Sequence, residues 1–304
     1  MIEDLGFHSI KSAVKATIKT VDDYRKGNKY VLCTNWPRLN RQLLGGLQPK
    51  KLYVIAGRPG SGKSFFANSM LFDILNCNPD KKIIVLYWNF EMSSWQQILR
   101  AASGDTSLGY SDTLSVDQPL EDSKFFKLVN AVKKYENYPV YFCDIPKSLK
   151  EFAQTVSKVA VDNPGHVIMN IIDHSRLYKP GTEKSELERL NLLSSVLMRL
   201  QAKFDIINIL LSQLNREIEK PDRARQLFKP MLSDLFGADS IGQAAHVVMM
   251  INRPYAMYNI EEEYLGYDPK GKLFLHIEKN RDGELGCIPF ETKFPAFKIV
   301  ELTK

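Results

Sequence analysis

The sequence predicts an α/β fold: a mainly parallel central sheet with helices on both faces, and an antiparallel C-terminal extension. Two observations carry this. From Leu52 to about residue 211, short and nearly continuous apolar runs alternate with helix-period segments. Strands that apolar are buried on both faces, as parallel strands joined by crossover helices are. The first such run, Leu52-Tyr53-Val54-Ile55-Ala56, leads straight into Gly57-Arg58-Pro59-Gly60-Ser61-Gly62-Lys63-Ser64. That is the G-x-x-x-x-G-K-[ST] pattern in the strand–loop–helix setting it requires.

The elements follow in order. In residues 1–30, Ile10, Val14, Ile18 and Val21 recur at helical spacing with Lys11, Lys15 and Lys19 on the other face. This predicts an amphipathic linker helix ending near Gly27-Asn28, ahead of one domain over residues 31–304. Such a helix packs either on its own core or on a neighbouring copy. A strand at 52–57 precedes the glycine-rich loop and a helix to about residue 76; Asn76 to Asp80 form a loop. The apolar run 82–88 reads as a central strand, and a helix follows from Ser94 to Ala102. Residues 103–123, rich in Gly, Ser, Asp and Thr, read as a loop with short helical pieces. Strand 139–143, helix 148–162, strand 167–172, helix 185–204 and strand 206–211 complete the alternation. Beyond residue 245, the runs Val247–Ile251, Leu273–Glu278, Cys287–Phe290 and Phe297–Val300 read as short antiparallel strands, with a turn at Asp282-Gly283.

Composition narrows the class. At 44% hydrophobic and 25% charged residues, the 304-residue chain resembles an ordinary globular protein. No stretch nears 18 consecutive apolar residues, which argues against a transmembrane helix and a membrane partner. Met1-Ile2-Glu3-Asp4 lacks a basic region leading into an apolar core, so no signal peptide is expected. Cys33, Cys77, Cys143 and Cys287 are far apart and form no C-x-x-C pair. They read as buried small hydrophobes in a reducing compartment, not as a metal site. A net charge of +6 permits contact with nucleic acid without demanding it.

The chemistry begins at the glycine-rich loop. Gly57, Gly60 and Gly62 allow a tight turn in which the backbone of Arg58, Pro59 and Ser61 wraps a phosphate. Lys63 would reach the β- and γ-phosphates of a nucleoside triphosphate such as ATP, and Ser64 would hold Mg²⁺. Val167–Asp173 is an apolar strand ending in an acid. Asp173 either orients the water shell of the metal or caps a turn. In Trp88-Asn89-Phe90-Glu91-Met92-Ser93, Glu91 either polarises the water that attacks the γ-phosphate or favours the start of the helix at Ser93 or Ser94. Gln213, at the end of the next strand, is either a γ-phosphate sensor or an ordinary polar strand end. Lys279 and Arg281 share a strand face. They form either a cation clamp on the ATP of an adjacent subunit or a solvated hairpin.

Taken in order, these segments resemble the RecA-type motor domain of the DnaB-family replicative helicases, the hexameric ring motors of bacteria and their phages. The similarity runs from about Thr34 to Leu302. Thr34–Asn40 and Gly45-Gly46-Leu47 resemble the family's entry segment, and Ala56-Gly57-Arg58-Pro59 its phosphate loop. Phe90-Glu91-Met92-Ser93 matches an element whose Glu is the catalytic base, and Ile172-Asp173 sits at the Walker B Asp. Leu211–Arg216 matches the sensor strand that holds Gln213. Lys279-x-Arg281-x-Gly283 resembles the element whose Lys and arginine finger reach the neighbouring ATP. Ser233-Asp234-Leu235 and Ser240–Gln243 resemble the flanks of a DNA-binding loop, which makes Phe236, Gly237 and Asp239 the candidate DNA positions.

There are departures. Phe236-Gly237-Ala238-Asp239 replaces the family's Arg-Glu-Ser-Gly, and Ala244-Ala245-His246 replaces Asp-Ala-Asp. Where the family usually carries an N-terminal helical domain of about a hundred residues, about 30 precede the motor region here. The resemblance implies an ATPase with Mg²⁺, translocating on single-stranded DNA as a hexameric ring. It also implies a primase or helicase-loader partner and a cytoplasmic location in a bacterial or phage-infected cell. Two other readings use the same core: a recombination mediator that uses ATP as a switch, and a regulatory ATPase that remodels proteins. An aromatic at Phe236 would stack on a base or sugar, or else pack into the core.

Overall fold

The computed structural model describes residues 8–28, 30–90, 92–173 and 185–302. It divides into two units, Met1–Val31 and Leu32–Lys304. The first holds α1 (Ile10–Arg25). The Ser9 hydroxyl accepts the Ser12 amide at 3.2 Å and closes the helix start. Asp22 pairs with Arg25 and Lys26 at 2.8 and 2.5 Å at its other end. The apolar stripe Ile10, Val14, Ile18, Val21 is exposed.

The second unit opens with α2 (Pro37–Gln42), whose N-terminal amides of Arg38 and Leu39 are taken by the Glu301 carboxylate at 2.8 and 3.1 Å. Strand and helix then alternate: β1 (Lys51–Gly57), α3 (Lys63–Cys77), β2 (Ile83–Asn89), α4 (Ser94–Thr106), α5 (Tyr110–Thr113), α6 (Asp122–Lys133), β3 (Val140–Cys143), α7 (Leu149–Asp162), β4 (Val167–Asp173), α8 (Glu186–Lys203) and β5 (Ile206–Gln213). The chain ends with β6 (Val247–Asn252), α9 (Pro254–Tyr258), β7 (Lys272–Asn280), β8 (Gly286–Lys293) and β9 (Lys298–Glu301). The strands form one sheet in the order β3-β2-β4-β5-β1-β6-β7-β8-β9.

Register is set by polarity as well as by apolar fit. Asn170 on β4 stands directly opposite Asn208 on β5, and its Nδ2 donates to the Asn208 Oδ1 at 3.0 Å. Both are fully buried. A one-residue slip would turn them to opposite faces and leave buried amides unpaired, at about 1–3 kcal/mol each. The register brings the carboxyl ends of four strands to one edge: Gly57 lies opposite Gln213, and Asn89 opposite Asp173. Ligands of open α/β sheets bind at this edge.

The structure departs from the sequence expectation in several places. The run Val247–Ile251, read as antiparallel, pairs parallel with β1, and the sheet turns antiparallel only at β7. The preceding link from β5 carries no α-helix, which removed the usual signal of a parallel strand. Helix α4 runs on past Ala102 to Thr106. Helix α6 was not expected at all; it buries no residue fully, so no core stripe announces it. The four cysteines are free but half-buried rather than buried. Among the described residues, no helix is long and apolar enough to cross a membrane.

Candidate nucleotide site

The loop between β1 and α3 has the backbone its glycines allow. Gly62 has φ +98°, a left-handed conformation, and a Cβ there would lie 3.1 Å from the Phe294 ring. A Cβ on Gly57 would lie 2.3 Å from the Ser61 hydroxyl. Lys63 is buried, and its Nζ donates to the carbonyls of Gly57 and Arg58 at 3.0 and 3.1 Å. The buried hydroxyls of Ser61 and Ser212 have no hydrogen-bond partner among the described residues. The loop, Lys63, Ser64, Asp173 and Gln213 together line a cavity of about 380 Å³, walled by Met92, Phe294 and Phe297. A glycine loop that a Cβ at Gly57 or Gly62 would crowd, a buried cation, a serine and a carboxylate form a donor set that fits a triphosphate with Mg²⁺.

Four of the residues read from the sequence thus converge. Glu91 lies outside the described residues. Its neighbour Phe90 donates its amide to the Asp173 carbonyl at 3.3 Å. The start of α4 is held by Gln96 and Asp144. The Gln96 Oε1 accepts the Ser93 amide at 3.0 Å, and Asp144 accepts the Ser94 amide at 3.0 Å.

Lys279 and Arg281 do not join this cavity. The Lys279 Nζ donates to the carbonyls of Gly242 and Gln243 at 2.6 and 3.1 Å, and Arg281 donates to Gln243 at 2.5 Å. The Arg281 amide bonds to the His246 carbonyl, and the His246 amide to that of Leu52. Lys279 pairs with Val248, which pairs with Val54, and Arg281 stands level with the start of β1. Gly57, at its far end, is five residues and about 17 Å away at the usual strand rise.

The segment between β5 and β6 is held at both ends. The Phe236 amide donates to the Gln213 carbonyl at 3.1 Å, and the Asn215 amide to the Asp234 carbonyl at 2.7 Å. Arg223 grips Asp234 with two bonds of 2.9 Å in a nearly buried pair. Arg58 of the phosphate loop reaches across to the Leu214 carbonyl at 2.8 Å and to Glu219 at 2.7 Å. At the far end, Lys279 and Arg281 hold the carbonyls of Gly242 and Gln243. Gly237 takes a left-handed φ of +73°, and Asp239 lies in the loop beyond it. Phe236 is half-buried against the core. Its surroundings favour the packing alternative.

Sequence reasoning missed two arginines and two aromatics at this site. The Arg253 guanidinium carbon lies 3.4 Å from the Phe294 ring centroid, with burial holding its pKa down to about 10. Arg100, on α4, lines the cavity beside Phe297. No spacing rule links these residues; only the return of β8 and β9 over the phosphate loop brings them together.

Comparison with known proteins agrees with this geometry. The DnaB-like helicase C terminal domain model matches residues 32–298. A probable replicative DNA helicase of Trieres chinensis is 28% identical over 259 residues, covering 84% of this chain and 53% of that protein. The chain spans about half the length of the curated relatives it matches. Among solved structures, an ATPase domain superposes with a TM-score of 0.84 at 23% identity, covering 98% of this chain and all of that one. A DnaB-like replicative helicase, described with its interactions with primase, superposes at 0.81 and 22% identity, covering 98% of this chain and 68% of that chain. The chain belongs to the family of DnaB-like helicase C-terminal domains.

Proposed function

We propose that this chain is the ATP-driven motor of a ring helicase that translocates on single-stranded DNA, with residues 1–30 as a linker and residues 31–304 as the motor domain. One observation carries the reading. The Lys279–Arg281 pair lies outside the cavity of its own chain's phosphate-binding set, so the pair serves an ATP only when a second subunit presents one. A closed ring satisfies every subunit this way. The working location is the cytoplasm of a bacterial or phage-infected cell, and primase or a helicase loader is the proposed protein partner.

In this reading Lys63 and the loop amides bind the β- and γ-phosphates, while Ser64 and Asp173 would hold Mg²⁺. The metal would neutralise charge that develops on the transferring phosphoryl group. Glu91 takes the proton of the attacking water. Gln213 meets the γ-phosphate with its side chain and the DNA segment with its carbonyl, so a shift of one moves the other. Residues 233–243 would then face the DNA through Gly237, Asp239 and the neighbouring backbone rather than by base recognition. Unwinding of a forked duplex in ATP and Mg²⁺ tests this. Directional strand displacement supports the motor, whereas ATP-stable filaments with slow turnover would support the recombination mediator.

The packing of Phe236 gives a separate expectation. Phe236→Ala should lower stability by about 2 kcal/mol, less than a fully buried Phe costs, and change single-stranded DNA binding less than about fivefold. A loss of binding of roughly 5- to 150-fold with an unchanged melting temperature, the range for a stacking aromatic, would reinstate stacking.

A further inference from the structure

Arg100 is a cation with no anion assigned to it. It stands on α4 at the rim of the phosphate cavity. Its guanidinium carbon lies 4.8 Å from the Phe297 ring centroid and 5.8 Å from that of Tyr110, and these faces hold it in place. Its Nε is buried and has no hydrogen-bond partner among the described residues. Burial pulls its pKa below the ordinary arginine value, with Tyr110, Tyr87 and Asp173 opposing the shift. A half-buried guanidinium with an unpaired Nε is unfavourable unless something supplies negative charge.

Asp173 shares the phosphate cavity with Arg100; the other nearby carboxylates are committed elsewhere. Arg100 also borders a second cavity of about 420 Å³, which holds Asp73, Asp105 and Glu301. Asp73 accepts the Asn35 amide at 2.6 Å. Asp105 takes Lys134 and the Tyr135 hydroxyl at 2.7 and 2.9 Å. Glu301 caps α2 with both oxygens. Among the described residues, the open space Arg100 faces is the phosphate cavity, which it lines together with Asp173, Lys63 and the glycine-rich loop.

We propose that Arg100 is a second phosphate-binding cation of this site, acting in the same chain as Lys63 and contacting the polyphosphate of the bound nucleotide. This rests on the nucleotide-site reading above. The guanidinium fork suits two phosphate oxygens at once. It would supply in cis what Lys279 and Arg281 supply from a neighbour.

The test compares wild type, Arg100→Gln and Arg100→Lys in the full chain. Binding of a non-hydrolysable ATP analogue, ADP, adenosine and inorganic phosphate is measured by competition against a fluorescent nucleotide, beside the melting temperature without ligand. The expected result for Arg100→Gln is about 10- to 150-fold weaker binding of the ATP analogue, the range for a charge-assisted hydrogen bond. Adenosine competition should stay unchanged, and the ligand-free melting temperature equal to wild type or higher, because an unpaired charge is gone. Arg100→Lys should recover part of the loss, keeping the charge without the fork. Wild-type affinity in Arg100→Gln would overturn the proposal. So would an equal loss for adenosine, which would place the contact on the nucleoside. A drop in ligand-free melting temperature with affinity intact would make Arg100 a packing residue. If wild type bound the ATP analogue no better than inorganic phosphate, the nucleotide-site reading itself would fall, and Arg100 with it.

Discussion

Arg281→Ala is expected to bind ATP at wild-type affinity yet lose at least about 10³ of its turnover, the scale of an arginine finger. The reason is placement. Arg281 sits at the start of β1 with its amide tied to His246, about 17 Å along the strand from Gly57 in its own chain. On the proposed reading it contributes nothing to binding in its own chain and acts on charge in the neighbouring site. Mixing Arg281→Ala with Lys63→Ala subunits should restore activity, because some interfaces then join an intact loop to an intact finger. No rescue at any ratio, with subunit exchange verified, would make Arg281 a surface or intrachain residue.

Lys63→Ala should reduce turnover by roughly 10²- to 10³-fold or more, as loss of a preorganised cation at developing charge does. Here, unlike Arg281→Ala, nucleotide affinity falls too. The Lys63 ammonium is buried and already aimed between the Gly57 and Arg58 carbonyls, so removing it also leaves those groups short of a donor. Equilibrium binding separates the two variants: weak for Lys63→Ala, unchanged for Arg281→Ala. Equal affinities in both would contradict the division between a cis cation and a trans cation.

Much of this was legible from residue order. The glycine-rich loop, the apolar strands and the acid at Asp173 declare themselves locally, because phosphate wrapping and two-sided burial constrain adjacent residues. The parallel pairing of β6 was not legible, since direction depends on the path taken between Gln213 and Val247, and that path is irregular. Nor were Arg100, Arg253, Phe294 and Phe297. They reach the phosphate loop from α4, from the start of α9 and from the turn between β8 and β9, far apart in sequence, and an arginine over an aromatic leaves no periodic trace. Phe236 shows the opposite limit: its position in the chain invited a DNA contact, while the hydrophobic surroundings that hold its ring emerge only on folding.

The central claim is that ATP hydrolysis in this chain is coupled to single-stranded DNA through the segment held between Gln213 and the Lys279–Arg281 pair. Steady-state ATP turnover of the assembled protein, measured with and without single-stranded DNA, tests it most directly. The account predicts marked stimulation by DNA of any sequence, absent in Arg281→Ala. Turnover that is substantial and identical with and without DNA would contradict it and would favour an ATPase that remodels proteins.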